Sequence, residues 1–250
     1  MAAPAQVLSV VAAAGELLLR SGAEVARVED TVGRIARAYG YADVEIFATP
    51  TGLFITLGDE RHTTAMRRIA GRTFALDRVS AVNALSRELA ERPLPPADAL
   101  RRIEAIGAQP PPLPAWATPA ASAIGAAACA MLAGGSLSDF GPAVLANAAV
   151  QGVQKVLGGL KLPDAIADFA AGFASVLCAL TATRLLGAAF GPVVAGGIMV
   201  LLPGIAFTTA VRDAMLGDLT SAAARSLEAV MKAAALASGV AAALYATGRS

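Results

Sequence analysis

From Leu185 to Val211 the chain carries no charged side chain, and from Ala105 to Ser138 it carries none either. About 20 apolar residues suffice for a helix to cross a bilayer, and uncharged runs of this length, joined by short loops, leave a soluble helical bundle without a polar face. They point to an integral membrane protein. The hydrophobic fraction of 56% and the mean hydropathy of +0.61 agree, both lying above the soluble range. Charge is unevenly spread, with 26 Asp, Glu, Lys and Arg in residues 1–114 and 13 in residues 115–250. The two parts are built for different solvents. A net charge of +1 without a basic tract gives no support to nucleic-acid binding.

The polar part reads as a small α/β domain over residues 1–108. Val7, Val11, Ala14, Leu18, Val25, Val28, Val32 and Ile35 recur at helical spacing, interrupted at Ser21-Gly22, where a kink or a break into two helices is expected. ADVEIFATP and GLFITLG predict two strands about the Pro50-Thr51-Gly52 turn, and TTAMRRIAG is a candidate third. Leu76 to Leu89 and Ala97 to Ile106 follow a helical pattern, separated by Pro93, Pro95 and Pro96. A small sheet with helices on one face is the natural packing. The N-terminal apolar stretch VLSVVAAAG has no Lys or Arg before Arg20, so it lacks the positive flank of a signal peptide, and a cytoplasmic N-terminus is expected.

QPPPLP, residues 109–114, is a stiff linker of the polyproline type where the composition changes. Residues 115–250 then divide into about five spans, roughly 115–133, 142–160, 165–183, 192–211 and 223–246. Five spans after a cytoplasmic domain place Lys161, Arg212 and Arg225 inside and Arg184 and Arg249 outside, a modest bias in the expected direction.

Polar side chains within spans are expensive and therefore informative. Asn147, Gln151, Gln154 and Lys155 share one face of the second span. Either the amides hold helices together while Lys155 reaches an interface, or the face lines a solute path. Asp168 opens the third span and could pair with Lys155 or Lys161. Arg225, Glu228 and Lys232 fall on one stripe, as a salt-bridge ladder or as a relay. Buried carboxylates can hold protons near neutral pH, which makes Asp168 and Glu228 candidate coupling sites.

Pro203-Gly204 sits inside the fourth span. Proline lacks the N–H a helix needs and its ring clashes with the preceding turn, so one half-helix should end there and another begin. A half-helix starting within the membrane can turn the positive end of its dipole toward an anionic solute, with Thr208 and Thr209 one turn on adding hydroxyls. A simple kink is the other reading.

Enzyme chemistry finds little support. His62 lies in the charged turn GDERHTT, where a surface role fits best, and no phosphate loop, nucleophile elbow or metal-ligand cluster occurs. No cofactor, metal or ATP is expected. Cys129 and Cys178 stand in apolar runs and read as buried thiols.

SGAEVARVEDTVGRIARAYG, ALDRVSAVNALSREL and LLPGIAFTTAVRDAMLGDLTSAAARSLEAVMKAAALASG together resemble the threonine/serine exporter family of bacterial membrane proteins. In the last block Pro203, Gly204, Arg212, Asp213, Gly217, Asp218, Ser221, Arg225 and Glu228 fall on the family pattern, while Ala222 replaces a residue that is usually Gly. The resemblance implies a cytoplasmic domain before a helical membrane portion, and export of small carboxylate-bearing solutes across the inner membrane. In length the chain resembles the larger subunit of the split form, which implies a second, shorter integral membrane subunit, oligomerisation within the lipid bilayer, and a substrate that is threonine, serine or a dicarboxylate such as succinate. Pro203 and Gly204 would shape the break, Arg212 with Asp213 would form a gate or structural pair, and Asp218, Arg225 and Glu228 would serve gating or coupling. A membrane-anchored sensor whose soluble domain binds a ligand is the alternative.

Overall fold

The computed structural model describes residues 3–58, 62–71, 73–160 and 162–248. Lys161 and Arg249 of the orientation argument, and Asp59, Glu60 and Arg61 of the turn before His62, lie outside the described residues. The chain forms two compact units, Met1–Pro112 with Thr208–Arg225, and Leu113–Phe207 with Ser226–Ser250.

The first unit begins with α1 (Pro4–Arg20) and α2 (Val25–Ala38). Val7, Val11, Ala14, Leu18, Val28, Val32 and Ile35, the residues of the predicted stripe, are wholly buried. The stripe is broken at Gly22, whose φ of +81° ends α1, and a side chain there would also strike the ring of Phe74. Strands β1 (Val44–Thr49), β2 (Gly52–Leu57) and β3 (Thr64–Arg68) form an antiparallel meander in the order β1-β2-β3. Strand alternation sends Leu53, Ile55 and Leu57 into the core and aligns Phe47, Phe54 and Met66 on the exposed face. The sheet comes so close to α1 that a Cβ on Gly15 would stand 2.5 Å from Leu53 Cδ2. Helices α3 (Leu76–Glu91) and α4 (Pro96–Ala108) complete the core through Val82, Leu89, Ala99 and Ile103.

The second unit contains α5 (Ala117–Leu132), α6 (Phe140–Gly159), α7 (Asp164–Leu186) and α8 (Phe190–Met199). Helix α9 (Gly204–Met215) and helix α10 (Leu219–Ala246) follow. Its interior is rich in small residues: Ala126, Ala127, Ala130, Ala143, Ala146, Ala171 and Ala179 are wholly buried, beside Val150, Val176, Val193 and Leu236. Leu132, Leu145, Val156, Leu185 and Leu227 are exposed instead. Large apolar groups outside and alanine inside suit a bundle surrounded by lipid, where close backbone packing replaces the hydrophobic drive between helices. Glycine carries this furthest. A Cβ on Gly239 would stand 1.9 Å from the Phe169 carbonyl oxygen, and one on Gly172 would stand 2.3 Å from that of Leu236, so α7 and α10 touch backbone to backbone.

Two helices, α7 and α10, are long and apolar enough to cross a membrane, and a third span arises if α8 and α9, bent by 62° at the break, are one crossing. The five expected segments each contain helix, but α5 has only 16 residues, about 24 Å of rise, and Asn147, Gln151, Gln154 and Lys155 lower the hydropathy of α6.

Candidate functional site

The helix break falls where Pro203 demands it. Helix α8 stops at Met199 and α9 begins at Gly204. The Gly204 N–H turns back onto the Leu202 carbonyl at 2.8 Å, and Phe207 N–H closes the first turn of α9 on the Pro203 carbonyl at 3.0 Å. A Cβ added at Gly204 would meet nothing within 4 Å. Thr208 is exposed and Thr209 half-buried on the next turn.

Four charged residues after the break, Arg212, Asp213, Asp218 and Arg225, belong to the first unit. Arg225 Nε lies 3.0 Å from Asp213 Oδ2, and Arg225 Nη2 donates to the Ala23 carbonyl at 3.2 Å. Arg212 Nη1 donates to Glu24 Oε1 at 2.8 Å. The expected pairing of Arg212 with Asp213 is thereby corrected: neighbours in a helix point about 100° apart and cannot share a face. Arg212 turns outward to Glu24 while Asp213 turns inward to Arg225. The α9–α10 corner explains two more family positions. Gly217, at φ +87°, takes the left-handed conformation that ends α9, with Asp218 N–H bonded to the Asp213 carbonyl at 3.0 Å. Asp218 then caps α10 by accepting from Ser221 N–H at 3.0 Å. Glu29 of α2, which accepts from Ala48 N–H at 3.1 Å, has its pKa raised by burial, a rise opposed by that hydrogen bond and reinforced by the Asp218 charge.

The second unit holds two polar clusters among its alanines. Ser122 Oγ donates to Asn147 Oδ1 at 2.9 Å, and Gln151 Nε2 donates to Asn147 Oδ1 at 2.6 Å and to Ser122 Oγ at 2.9 Å. Asn147 is almost wholly buried, and its Nδ2 finds no hydrogen-bond partner among the described residues. The other cluster centres on Asp168, which accepts from Gln154 Nε2 at 2.7 Å and faces Lys232 Nζ at 3.8 Å. Lys232 thus faces Asp168, whereas Lys155 is exposed on α6 and Lys161, the other expected partner, lies outside the described residues. Glu228 is exposed as well. Asp139, between α5 and α6, is held below the usual carboxylate range by N–H groups of Ser136 and Ala189 and by the Ser136 hydroxyl.

Ser122, Ala23 and Glu24 were not legible as site residues. Ser122 is a small hydroxyl in an alanine-rich run, a weak signal, four and eight residues before the buried Ala126 and Ala130 of α5. Glu24 stands nearly two hundred residues from Arg212, and only tertiary structure joins them.

A model of the family described as "Putative threonine/serine exporter" matches residues 9–246. Among curated proteins, the chain is similar to the "Probable threonine/serine exporter" of Mycobacterium tuberculosis, at 26% identity over 239 residues, covering 94% of this chain and 45% of the relative. It is likewise similar to the "Threonine/serine exporter" of Corynebacterium glutamicum, at 27% identity over 254 residues, covering 94% of this chain and 50% of the relative. The chain therefore spans about half the length of the curated relatives it matches. No solved structure matches it. With the family pattern running from within the first core helix through the broken helix to the end of α10, the chain belongs to the threonine/serine exporter family.

Proposed function

We propose that this protein is one subunit of a secondary exporter in the bacterial inner membrane. It moves small carboxylate-bearing solutes, either threonine and serine or a dicarboxylate such as succinate, together with a shorter integral membrane subunit of the same family. In this reading α5, α6, α7, the broken α8–α9 pair and α10 are the five crossings, and the N-terminal domain is cytoplasmic. The observation that carries it is a polar set centred on two buried side chains, Asn147 and Asp168, inside an alanine-rich helical unit. Asn147, Gln151 and Ser122 form one cluster and Asp168, Gln154 and Lys232 the other, where a mere anchor would need only apolar side chains.

Asn147 Nδ2, buried and without a hydrogen-bond partner among the described residues, is a donor suited to a solute carboxylate. We assign the coupling role to Asp168, a buried carboxylate that faces the Lys232 ammonium and accepts from the Gln154 amide. Proteoliposomes containing this chain and the short subunit test the proposal by counterflow. Exchange of labelled threonine, serine or succinate that requires both chains supports it, and the label that moves identifies the substrate. No exchange of any of the three, with both chains folded, overturns it.

A further inference from the structure

One face of the sheet in the first unit packs on the core, and the other is left open. The strand register sets Phe47, Phe54 and Met66 side by side across β1, β2 and β3 on the open face, where they are 59%, 43% and 62% exposed. The Phe47 and Phe54 ring centroids are 6.2 Å apart. Polar rows flank this apolar one, with Glu45, Thr56 and Thr64 on one side and Thr49, Gly52 and Arg68 on the other. An exposed apolar centre with a polar rim is the arrangement of a protein–protein contact, and Phe and Met are enriched in such centres.

The two charges of this face stand at opposite corners. Glu45 lies on β1 and Arg68 on β3, one row to either side of Phe54 on the central strand, so Phe54 is the midpoint of the line between them. Strand spacing and rise separate the corners by ~17 Å, beyond pairing within one chain. Both side chains are exposed, and among the described residues neither has an ion-pair partner. A face with a carboxylate at one corner and a guanidinium at the other is complementary to itself. A two-fold axis lying in the interface, through Phe54 and at right angles to that line, brings each Glu45 over the Arg68 of the second copy and crosses the two apolar rows at Phe54. The same rotation turns the strands of the two sheets steeply across each other, near the orthogonal class of sheet packing.

We infer that this face is a self-complementary contact with a second copy of the chain, with Phe54 of each copy packed at the axis and two Glu45–Arg68 ion pairs at the rim. A face of three short strands is smaller than the ~800 Å² per partner of a stable interface, so the dimer is of the reversible kind, dissociating in the micromolar range. The contact uses none of the residues assigned to transport and needs nothing of that reading.

Sedimentation equilibrium of the full chain in density-matched detergent, across the micromolar range, tests the inference. A reversible dimer is expected. Because a two-fold contact uses each side chain twice, Glu45→Arg and Arg68→Glu should each weaken it by about tenfold or more. The chain carrying both reversals restores opposite charges at both corners and should dimerise to within about threefold of the unsubstituted chain. Phe54→Ser should abolish the dimer. All three side chains are exposed, so each variant should melt near the unsubstituted chain, which separates a lost contact from a lost fold. A chain that stays monomeric, a dimer as strong in Glu45→Arg or Phe54→Ser as in the unsubstituted chain, or a double reversal as weak as either single one would overturn the inference.

Discussion

Arg225 Nε stands 3.0 Å from Asp213 Oδ2, and the two side chains are only 4% and 1% exposed. A charge left buried without its partner is strongly destabilising, by about 3–5 kcal/mol in comparable pairs, whereas neutralising both partners is far milder. Arg225→Ala should therefore lower the melting temperature of the detergent-solubilised chain markedly. The double substitution Asp213→Asn with Arg225→Gln should recover most of the loss. Equal melting of Arg225→Ala and the unsubstituted chain would show that the pair does not hold the α9–α10 corner.

Arg212 gives the opposite expectation. Its side chain is 57% exposed where it meets Glu24, and exposed pairs contribute about 1 kcal/mol or less. Arg212→Ala should leave membrane expression and melting nearly unchanged and reduce export severely, which separates a gating contact from a structural one. Full export by this variant would remove Arg212 from the gate.

The contrast between these two arginines shows where the sequence was readable. The buried stripe from Val7 to Ile35, the strands either side of Pro50-Thr51-Gly52 and the break before Gly204 were legible because each is dictated by local periodicity or by proline and glycine. Partner choice was not. Arg212 and Asp213 are adjacent in sequence, yet helical rotation sends one to Glu24 and the other to Arg225. Nothing local to Asp168 distinguishes Lys232 from Lys155, because the choice depends on which helices pack side by side. The amides that lower the hydropathy of α6 are the ones that bond to Ser122 and Asp168 once helices assemble, a use of polar side chains that hydropathy alone does not register.

Asp168→Asn keeps the acceptor for Gln154 and removes the charge opposite Lys232. If Asp168 couples export to an ion gradient, gradient-driven efflux should fall by about tenfold or more, equivalent to ~1.4 kcal/mol in the barrier, while solute exchange at equal concentrations persists. Loss of both activities in a folded variant would make Asp168 structural, and retention of both would remove it from the mechanism.

Glu29 predicts a pH dependence. Burial raises its folded pKa above the ordinary 4.5, so the fold binds a proton that the unfolded chain releases more readily. The stability this contributes is fully present below about pH 4.5 and is lost as pH rises through the folded value. Glu29→Gln should accordingly melt higher than the unsubstituted chain at neutral pH, with the difference shrinking as the solution is acidified. Melting curves of both chains across that range check it, and a difference independent of pH would contradict it.

The most direct measurement is efflux from cells preloaded with labelled threonine, serine or succinate, comparing this chain alone, the short membrane subunit alone, and both together. The account predicts efflux of one label class only when both chains are present. No efflux of any label, with both chains confirmed in the membrane, would contradict it.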